Sequence, residues 1–528
     1  MRKRLAMWVE HVAHADDLGA GAAAVAVAAL VAWSVWQRWL LLDASPFPLG
    51  VDGYFYPIEL RALLDRGELA YPASPLTFYL LAPFAAATDP ITGAKLGTAI
   101  YSAAIAIPTY GVGARLGGRR GVGLVAAVLA TTSVGSAYLA VEFVKNAVGL
   151  TVALTALWLV LAAADRPTRL RIAAAVAGVV ATWTAHKMAT ALVLMVAVPA
   201  ALAAATDHGR LRGRRLLYAI GGAIAALAAA LALAAAFPRR FLSLDDAALL
   251  GGLYTTTPRW SAPALALPGG DLVVGRDALL GLGLAVAAVA AAVAANALRR
   301  RSPDRGAADG RGVAASPAVG AASWPILALA LAIGLPLLDV TDRDGLGFRL
   351  RLAAFVPAAL SAAILARTVL ARRARDGLAV AALALALALV AIRRPGPRLD
   401  GEIVTHPALV SAALALRGHV PADATLIVPE RHIAYLVAWY TGAAIAIRPE
   451  RVPPERRYRL LPLHFIRADS PLDRQLIAAR AEPSLIPPLG VHPGHPNGLV
   501  LVAEPTWAWV LDHLPAADRA YCLAWPTL

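Results

Sequence analysis

Long runs without an ionisable side chain constrain this chain more than any other feature. Ala223 to Ala236 and Ala381 to Val390 are two of them. A helix at the surface of a soluble protein needs a polar face, and these runs have none, so lipid is their solvent and they read as spans. The composition agrees, with 59% hydrophobic and only 16% charged residues in 528. The net charge of +15 would suit a nucleic-acid binder. The basic residues come instead as short clusters between apolar segments, as cytoplasmic loops do under the positive-inside rule, and nucleic acid is excluded as a partner. Cys522 is the single cysteine, so the chain forms no internal disulfide and gives no redox evidence about its compartment. Arg2, Lys3 and Arg4 precede an acidic and His-bearing stretch before the first apolar run, which reads as a retained anchor more than a cleaved signal.

Hydropathy windows place spans at Leu18 to Leu40, Ile91 to Val112, Val122 to Leu139, Ala147 to Ala164, Ile172 to Ala185, Met188 to Ala205, Leu216 to Phe237, Leu279 to Leu298, Trp324 to Val340, Leu352 to Leu370 and Leu378 to Ile392, about eleven in all. Basic clusters at Arg2 to Arg4, Arg115 to Arg120, Arg166 to Arg171, Arg210 to Arg215, Arg299 to Arg305 and Arg367 to Arg375 fall on alternate loops, which makes that side cytoplasmic. The protein is then integral to a plasma or inner membrane, with its N-terminus cytoplasmic. An odd number of spans places the region after Arg393 outside, with the loops Asp43 to Pro90, Pro238 to Arg276 and Thr341 to Arg351. Ser302 to Gly320 reads as a flexible cytoplasmic linker.

Beyond residue 392 the pattern changes. Helical periodicity at His406 to Leu416 and His432 to Tyr440 alternates with short strands at Thr425 to Val428, Ala443 to Ile447 and Gly498 to Val502. The expected architecture is an all-α polytopic membrane domain over 1–392 and a small α/β extracytoplasmic domain over 393–528.

Ionisable groups at the ends of apolar spans need a reason, and four outer groups stand out. In the run from Val51 to Arg61, Asp52 precedes Tyr54, Phe55 and Tyr56, and Glu59 and Arg61 follow within little more than a turn of a helix with Pro57 in its first turn. Asp52 is either a general base beside stacking aromatics or a helix cap beside an interfacial aromatic belt. Glu142 and Lys145, three apart, either pair on one helix face or line a site. His186 and Lys187 sit between two apolar runs with almost no loop, so Lys187 either snorkels to water or meets an anion such as a phosphate. Arg343, Arg349 and Arg351 lie on the outer side against the inside bias, where a guanidinium fork suits a phosphate; Arg343 has Asp342 and Asp344 as alternative partners, and Arg349 and Arg351 have lipid headgroups.

An acid with aromatics in the first outer loop, Glu142 in the second and arginines in a late outer loop before a span together resemble the GT-C fold. These are membrane glycosyltransferases that use polyprenyl-phosphate-linked sugars, among them protein O-mannosyltransferases and lipid A aminoarabinose transferases. The resemblance covers roughly the first 370 residues and an outer C-terminal domain. It implies that Asp52 and Glu142 are the catalytic acids and that Arg349 or Arg351 contacts phosphate, with His186 and Lys187 matching loosely. It implies a monosaccharide transferase that inverts the anomeric carbon, Asp52 being the base. Tyr54, Tyr56, Glu59, Arg61, Lys145 and Arg343 complete the expected substrate-binding set, and Asp52, Glu142, Arg349 and Arg351 are expected to converge. Asp52-Gly53-Tyr54 lacks the paired acids of metal-using members, so no cofactor is required, while room for a divalent metal remains. The acceptor stays open. A transporter or flippase of a lipid-linked or anionic substrate is the main alternative, and a membrane scaffold with an outer sensing domain is another.

Overall fold

The computed structural model describes residues 19–207, 214–237, 240–241, 246, 252–254, 273–301, 317–340, 345–370, 405, 407–417, 420–428, 431–446, 452–462, 473–474 and 499–523. In chain order its helices are α1 (Ala20–Leu42), α2 (Phe55–Arg66), α3 (Leu76–Ala87), α4 (Pro90–Ala103), α5 (Ala106–Gly117), α6 (Arg120–Thr132), α7 (Val134–Glu142), α8 (Val144–Asp165), α9 (Arg169–Ala185), α10 (Lys187–Asp207), α11 (Arg214–Ala236), α12 (Val273–Arg301), α13 (Pro317–Gly334), α14 (Leu346–Leu352) and α15 (Phe355–Leu370). The C-terminal part adds α16 (Pro407–Leu416), β1 (Thr425–Ile427), α17 (Arg431–Thr441), β2 (Ala444–Ile445), β3 (Arg457–Pro462), β4 (Leu499–Ala503), α18 (Glu504–Asp512) and α19 (Ala516–Leu523). The chain divides into two compact units, one taking the residues up to 41, 71–81 and 96–398, the other taking 42–70, 82–95 and the residues from 399 onward.

The first unit is the helical one. Among the described residues four helical stretches, Ala20–Leu42, Val144–Asp165, Lys187–Thr206 and Asp277–Ala295, are long and apolar enough to cross a membrane, and counting each of two bent pairs as one span gives six. Two expected spans are not single straight helices. Ile91 to Val112 is two helices, α4 and α5, and Val122 to Leu139 is α6 and α7, bent by 48°. Leu378 to Ile392 lies outside the described residues.

With lipid as apolar as leucine, helices in such a unit associate through close packing and small residues. At Gly123 a Cβ would lie 2.6 Å from the carbonyl oxygen of Tyr110, and at Gly111 one would lie 2.4 Å from the Trp158 ring, so glycine brings α6 and α8 against α5. The core runs through Val112, Leu116, Leu139, Leu154, Leu161, Leu352 and Leu360. Arg38, near the end of α1, is buried and donates through Nη2 to the Ser136 hydroxyl at 2.7 Å and to the Thr131 carbonyl at 3.5 Å, on either side of the α6/α7 bend. Ser133, in extended conformation at that bend, caps α7 by accepting from the Ser136 N–H and hydrogen-bonds the Asp277 carboxylate.

The second unit contains the expected small α/β fold. Its sheet has the order β2-β1-β3-β4, with β1 parallel to β2 and β3, and β4 antiparallel to β3. Leu461, Val500, Val502, Trp507 and Val510 form the core between this sheet and α18. Arg459 grips both carboxylate oxygens of Glu504, at 2.7 and 2.9 Å, while its guanidinium lies 5.1 Å from the Trp507 ring. α2 belongs to this unit and packs on α17 through aromatic rings, Phe55 meeting Tyr435 at 5.2 Å and Tyr54 meeting Tyr440 at 5.7 Å.

Candidate functional site

Three interruptions of apolar helices position most of the unexplained charges of the helical unit. At the first, α7 ends on Glu142, Phe143 takes φ −128° and ψ 63°, and α8 starts at Val144 with Lys145 and Asn146 in its first turn. Glu142 and Lys145 are thus on two helices, which overturns the reading of them as neighbours on one helix face. At the second, His186 is extended between the end of α9 and the start of α10 at Lys187. At the third, α14 carries Arg349 and Arg351 and meets α15 at a bend of 47°.

Packing brings these interruptions together. A Cβ at Gly149 of α8 would lie 2.5 Å from the Cβ of His186, so the first turns of α8 adjoin the start of α10. The rings of Phe143 and Phe348 lie 6.3 Å apart, and the Arg349 guanidinium sits 5.0 Å from the Phe143 ring. Glu142, Lys145, His186, Lys187 and Arg349 therefore share one region of this unit. Burial, and then the positive charges of Lys145, Arg349 and Lys187, push His186 down from its usual value to about 3. Its Nδ1 accepts from the Ala189 N–H at 3.4 Å.

Two side chains here are held in ways the sequence does not reveal. Lys187 meets an anion, a carboxylate of this chain. Its Nζ donates to both oxygens of Asp246, at 2.9 and 3.0 Å. Arg351 is 3% exposed and donates through Nη2 to the Leu335 carbonyl at 3.2 Å, while its Nε and Nη1 have no hydrogen-bond partner among the described residues. Asn146, 2% exposed, likewise has an Nδ2 without one. Sequence reasoning passed over Asn146 and Asp246; an amide one residue after a lysine at a helix start was the available signal for the first.

The Lys187–Asp246 pair gives a measurable expectation. Its side chains are 26% and 19% exposed, so screening leaves the pair worth on the order of 1 kcal/mol. Lys187→Ala should destabilise by about that amount, and Asp246→Ala in the same background should cost little more. Thermal unfolding of the two single variants and the double variant reads the coupling; strictly additive effects would show that the pair contributes nothing.

The first-loop residues lie in the other unit. Asp52 sits half-buried in a turn closed by backbone bonds from the Gly53 N–H to the Gly50 carbonyl and from the Phe55 N–H to the Asp52 carbonyl, both 3.0 Å. A Cβ at Gly53 would lie 2.6 Å from the Leu49 carbonyl oxygen, so the residue after Asp52 has to be small. The helix that follows has Tyr54 at its N-cap with no side-chain cap bond, so Asp52 is not its cap. Tyr54 shares a 3.1 Å hydrogen bond with the Tyr440 hydroxyl, and burial, with Tyr440 second, pushes its phenol well above the usual range. Tyr56 is buried edge-on to Phe55. Glu59 is fully buried and accepts from the Ala70 N–H at 2.7 Å. Arg61 lies 4.2 Å from the Trp439 ring and donates to the Trp439 carbonyl at 3.3 Å. Tyr54, Glu59 and Arg61 thus hold α2 in its own unit. Arg343 lies outside the described residues. Among the described residues no three His, Cys, Asp or Glu side chains are grouped to hold a metal ion.

No family model and no curated protein matches the chain. Solved structures similar to it include ArnT from Cupriavidus metallidurans bound to undecaprenyl phosphate, at 13% identity and a TM-score of 0.49, covering 92% of this chain and 98% of that one. The same protein in the apo state has 13% identity and a TM-score of 0.45 over 91% and 98% of the two chains.

Proposed function

We propose that the chain is a membrane glycosyltransferase of the GT-C type that moves a sugar from a polyprenyl-phosphate donor to an acceptor at the outer face of the membrane. The observation that carries this reading is the gathering of Lys145, His186 and Arg349 beside Glu142 at interrupted helices of an apolar bundle. Ionisable groups gathered inside an apolar bundle mark a functional site, and basic ones suit an anionic headgroup.

The chemistry requires little more. Asp52 takes the proton of an acceptor hydroxyl as its oxygen attacks the anomeric carbon, and the bond from that carbon to the phosphate oxygen breaks with inversion. The polyprenyl phosphate leaves with the electron pair, and Lys145, Arg349 and Arg351 neutralise its charge. Incubating the purified protein with polyprenyl-phosphate-linked sugars and following release of the free lipid phosphate tests the reading; no release from any such donor rejects it.

The bends of 48° and 47° favour a transporter as the second reading, because transporters bind anions at broken helices. Uptake of a lipid phosphate into vesicles without sugar transfer would select it. Under either reading the basic clusters put the N-terminus in the cytoplasm and the C-terminal unit outside. A reporter active only outside the cell should work when fused after residue 528 and fail when fused before residue 1; the reverse pattern rejects this orientation.

A further inference from the structure

Five helix ends meet at a group of arginines in the helical unit. α5 ends with Arg115 in its last turn, Arg119 precedes α6, α8 ends on Asp165, and α9 opens with Arg169 and Arg171. The Arg115 Nε lies 3.4 Å from an Asp165 oxygen. Arg367, in the last turn of α15, donates through Nη1 to the carbonyls of Arg115 and Leu116, both at 3.4 Å, which ties that helix to the same place. Arg171 donates to the Arg166 carbonyl at 3.3 Å, and its charge acts on Arg115.

Positive charge is in excess here. Between Glu142 and Asp207 the sequence has no acid but Asp165, and Asp165 faces Arg115. Among the described residues Arg119, Arg166, Arg169 and Arg171 form no ion pair. Arg166, Arg169 and Arg171 are exposed, and the last two stand in the first turn of α9, where the helix dipole disfavours cations. The positive-inside rule accounts for the side on which they lie, but neither for their gathering nor for the lack of acids. The face of α9 shows what covers them. Leu170, between two of the arginines, is 80% exposed, and Ile172, Val176 and Val180 are exposed at intervals of four. Arg169 is three residues before Ile172, so one stripe of α9 runs from bare aliphatic side chains into an arginine. Such a stripe fits the boundary between acyl chains and headgroups.

We propose that Arg119, Arg166, Arg169 and Arg171 form a docking surface for anionic phospholipid headgroups of the leaflet at this end of the bundle. Guanidinium groups match phosphate in charge and geometry, and the adjoining stripe of α9 receives the acyl chains of the same lipids. The surface is separate from the junction of α7, α8, α10 and α14, and it holds whether the chain transfers a sugar or transports a lipid.

The test uses the full-length protein in detergent micelles, with Cys522→Ser and Leu170→Cys, so that one fluorophore reports on this surface alone. Phosphatidylglycerol and phosphatidylcholine, each carrying a spin label near the headgroup, are the quenchers. An arginine near a headgroup strengthens binding by about fivefold, so two within reach of one lipid give roughly 25-fold. Phosphatidylglycerol should therefore quench at a mole fraction about 10- to 25-fold lower than phosphatidylcholine. Arg166→Gln, Arg169→Gln and Arg171→Gln combined should bring the two lipids to within about twofold, whereas Arg66→Gln, at an exposed position of the other unit, should leave the preference intact. Raising the salt to about 0.5 M should erode the preference severalfold in the unaltered surface, which decides the matter if the triple variant does not fold. Equal quenching by the two lipids at low salt, or a preference that survives the triple variant or the salt, overturns the surface. An equal loss in Arg66→Gln also overturns it, because net charge and not this patch would then select the lipid. Displacement of phosphatidylglycerol by millimolar glycerol phosphate would make a soluble phosphate the ligand, and displacement by polyglutamate an acidic polypeptide; either result overturns the lipid assignment.

Discussion

Asp52→Asn should lower sugar transfer by about 10²- to 10⁴-fold while the protein remains folded and inserted, because the amide keeps the size and polarity of the carboxylate but cannot take a proton. The turn that holds Asp52 is closed by backbone bonds at Gly53 and Phe55, so it survives the loss of charge. Arg349→Ala should act differently. Its guanidinium would meet the donor phosphate in ground and transition states alike, so the Michaelis constant for the donor should rise more than turnover falls. A transfer assay over a range of donor concentrations separates the two. Full activity in Asp52→Asn would pass the role of base to Glu142 rather than Glu59, since Glu59 is fully buried and already accepts from Ala70.

The largest effect on stability is expected from Gly347→Ala. Gly347 is the second residue of α14, and a Cβ there would lie 2.0 Å from the carbonyl oxygen of Asp339. Neither atom is the movable end of a side chain, so α14 has to shift as a body. With it would go the contact of Phe348 with Phe143 and the position of Arg349 over the same ring. Overpacking of this kind costs about 1–3 kcal/mol and more where backbone meets backbone, so a loss of about 3 kcal/mol or more is expected. Size-exclusion profiles after heating in detergent should show it. Gly222→Ala is the control, since nothing lies within 4 Å of its Cβ position and alanine suits a helix interior better. Equal heat resistance in both variants would contradict the close passage of α14 past Asp339.

What the sequence made legible, and what it hid, follows from the range of the forces involved. Val144–Asp165 and Lys187–Asp207 fall within three residues of the expected spans, since apolar length is written locally. The break at Phe143 is not. No Pro or Gly marks it, and it depends on packing against Phe348, about two hundred residues away. Asp246 as the partner of Lys187 was hidden for the same reason, the two being 59 residues apart. β3 drew no expectation, since it opens on Arg457, Tyr458 and Arg459, although Arg459 is drawn in by Glu504 and Trp507. The charges of the candidate site were legible because lipid makes them conspicuous, whereas Asn146, being neutral, was not.

The pairing of α2 with α17 bears on how the protein is made. Tyr54 and Tyr440 are 386 residues apart, yet their hydroxyls bond to each other. At synthesis rates of about 5–20 residues per second, the first segment waits roughly 20–80 s for its partner to leave the ribosome. During that interval Tyr54, Phe55 and Tyr56 have none of the rings of α17 to cover them. An aromatic surface left bare for so long favours aggregation, so membrane delivery of this chain should depend on a holding factor that shields it until synthesis is nearly complete.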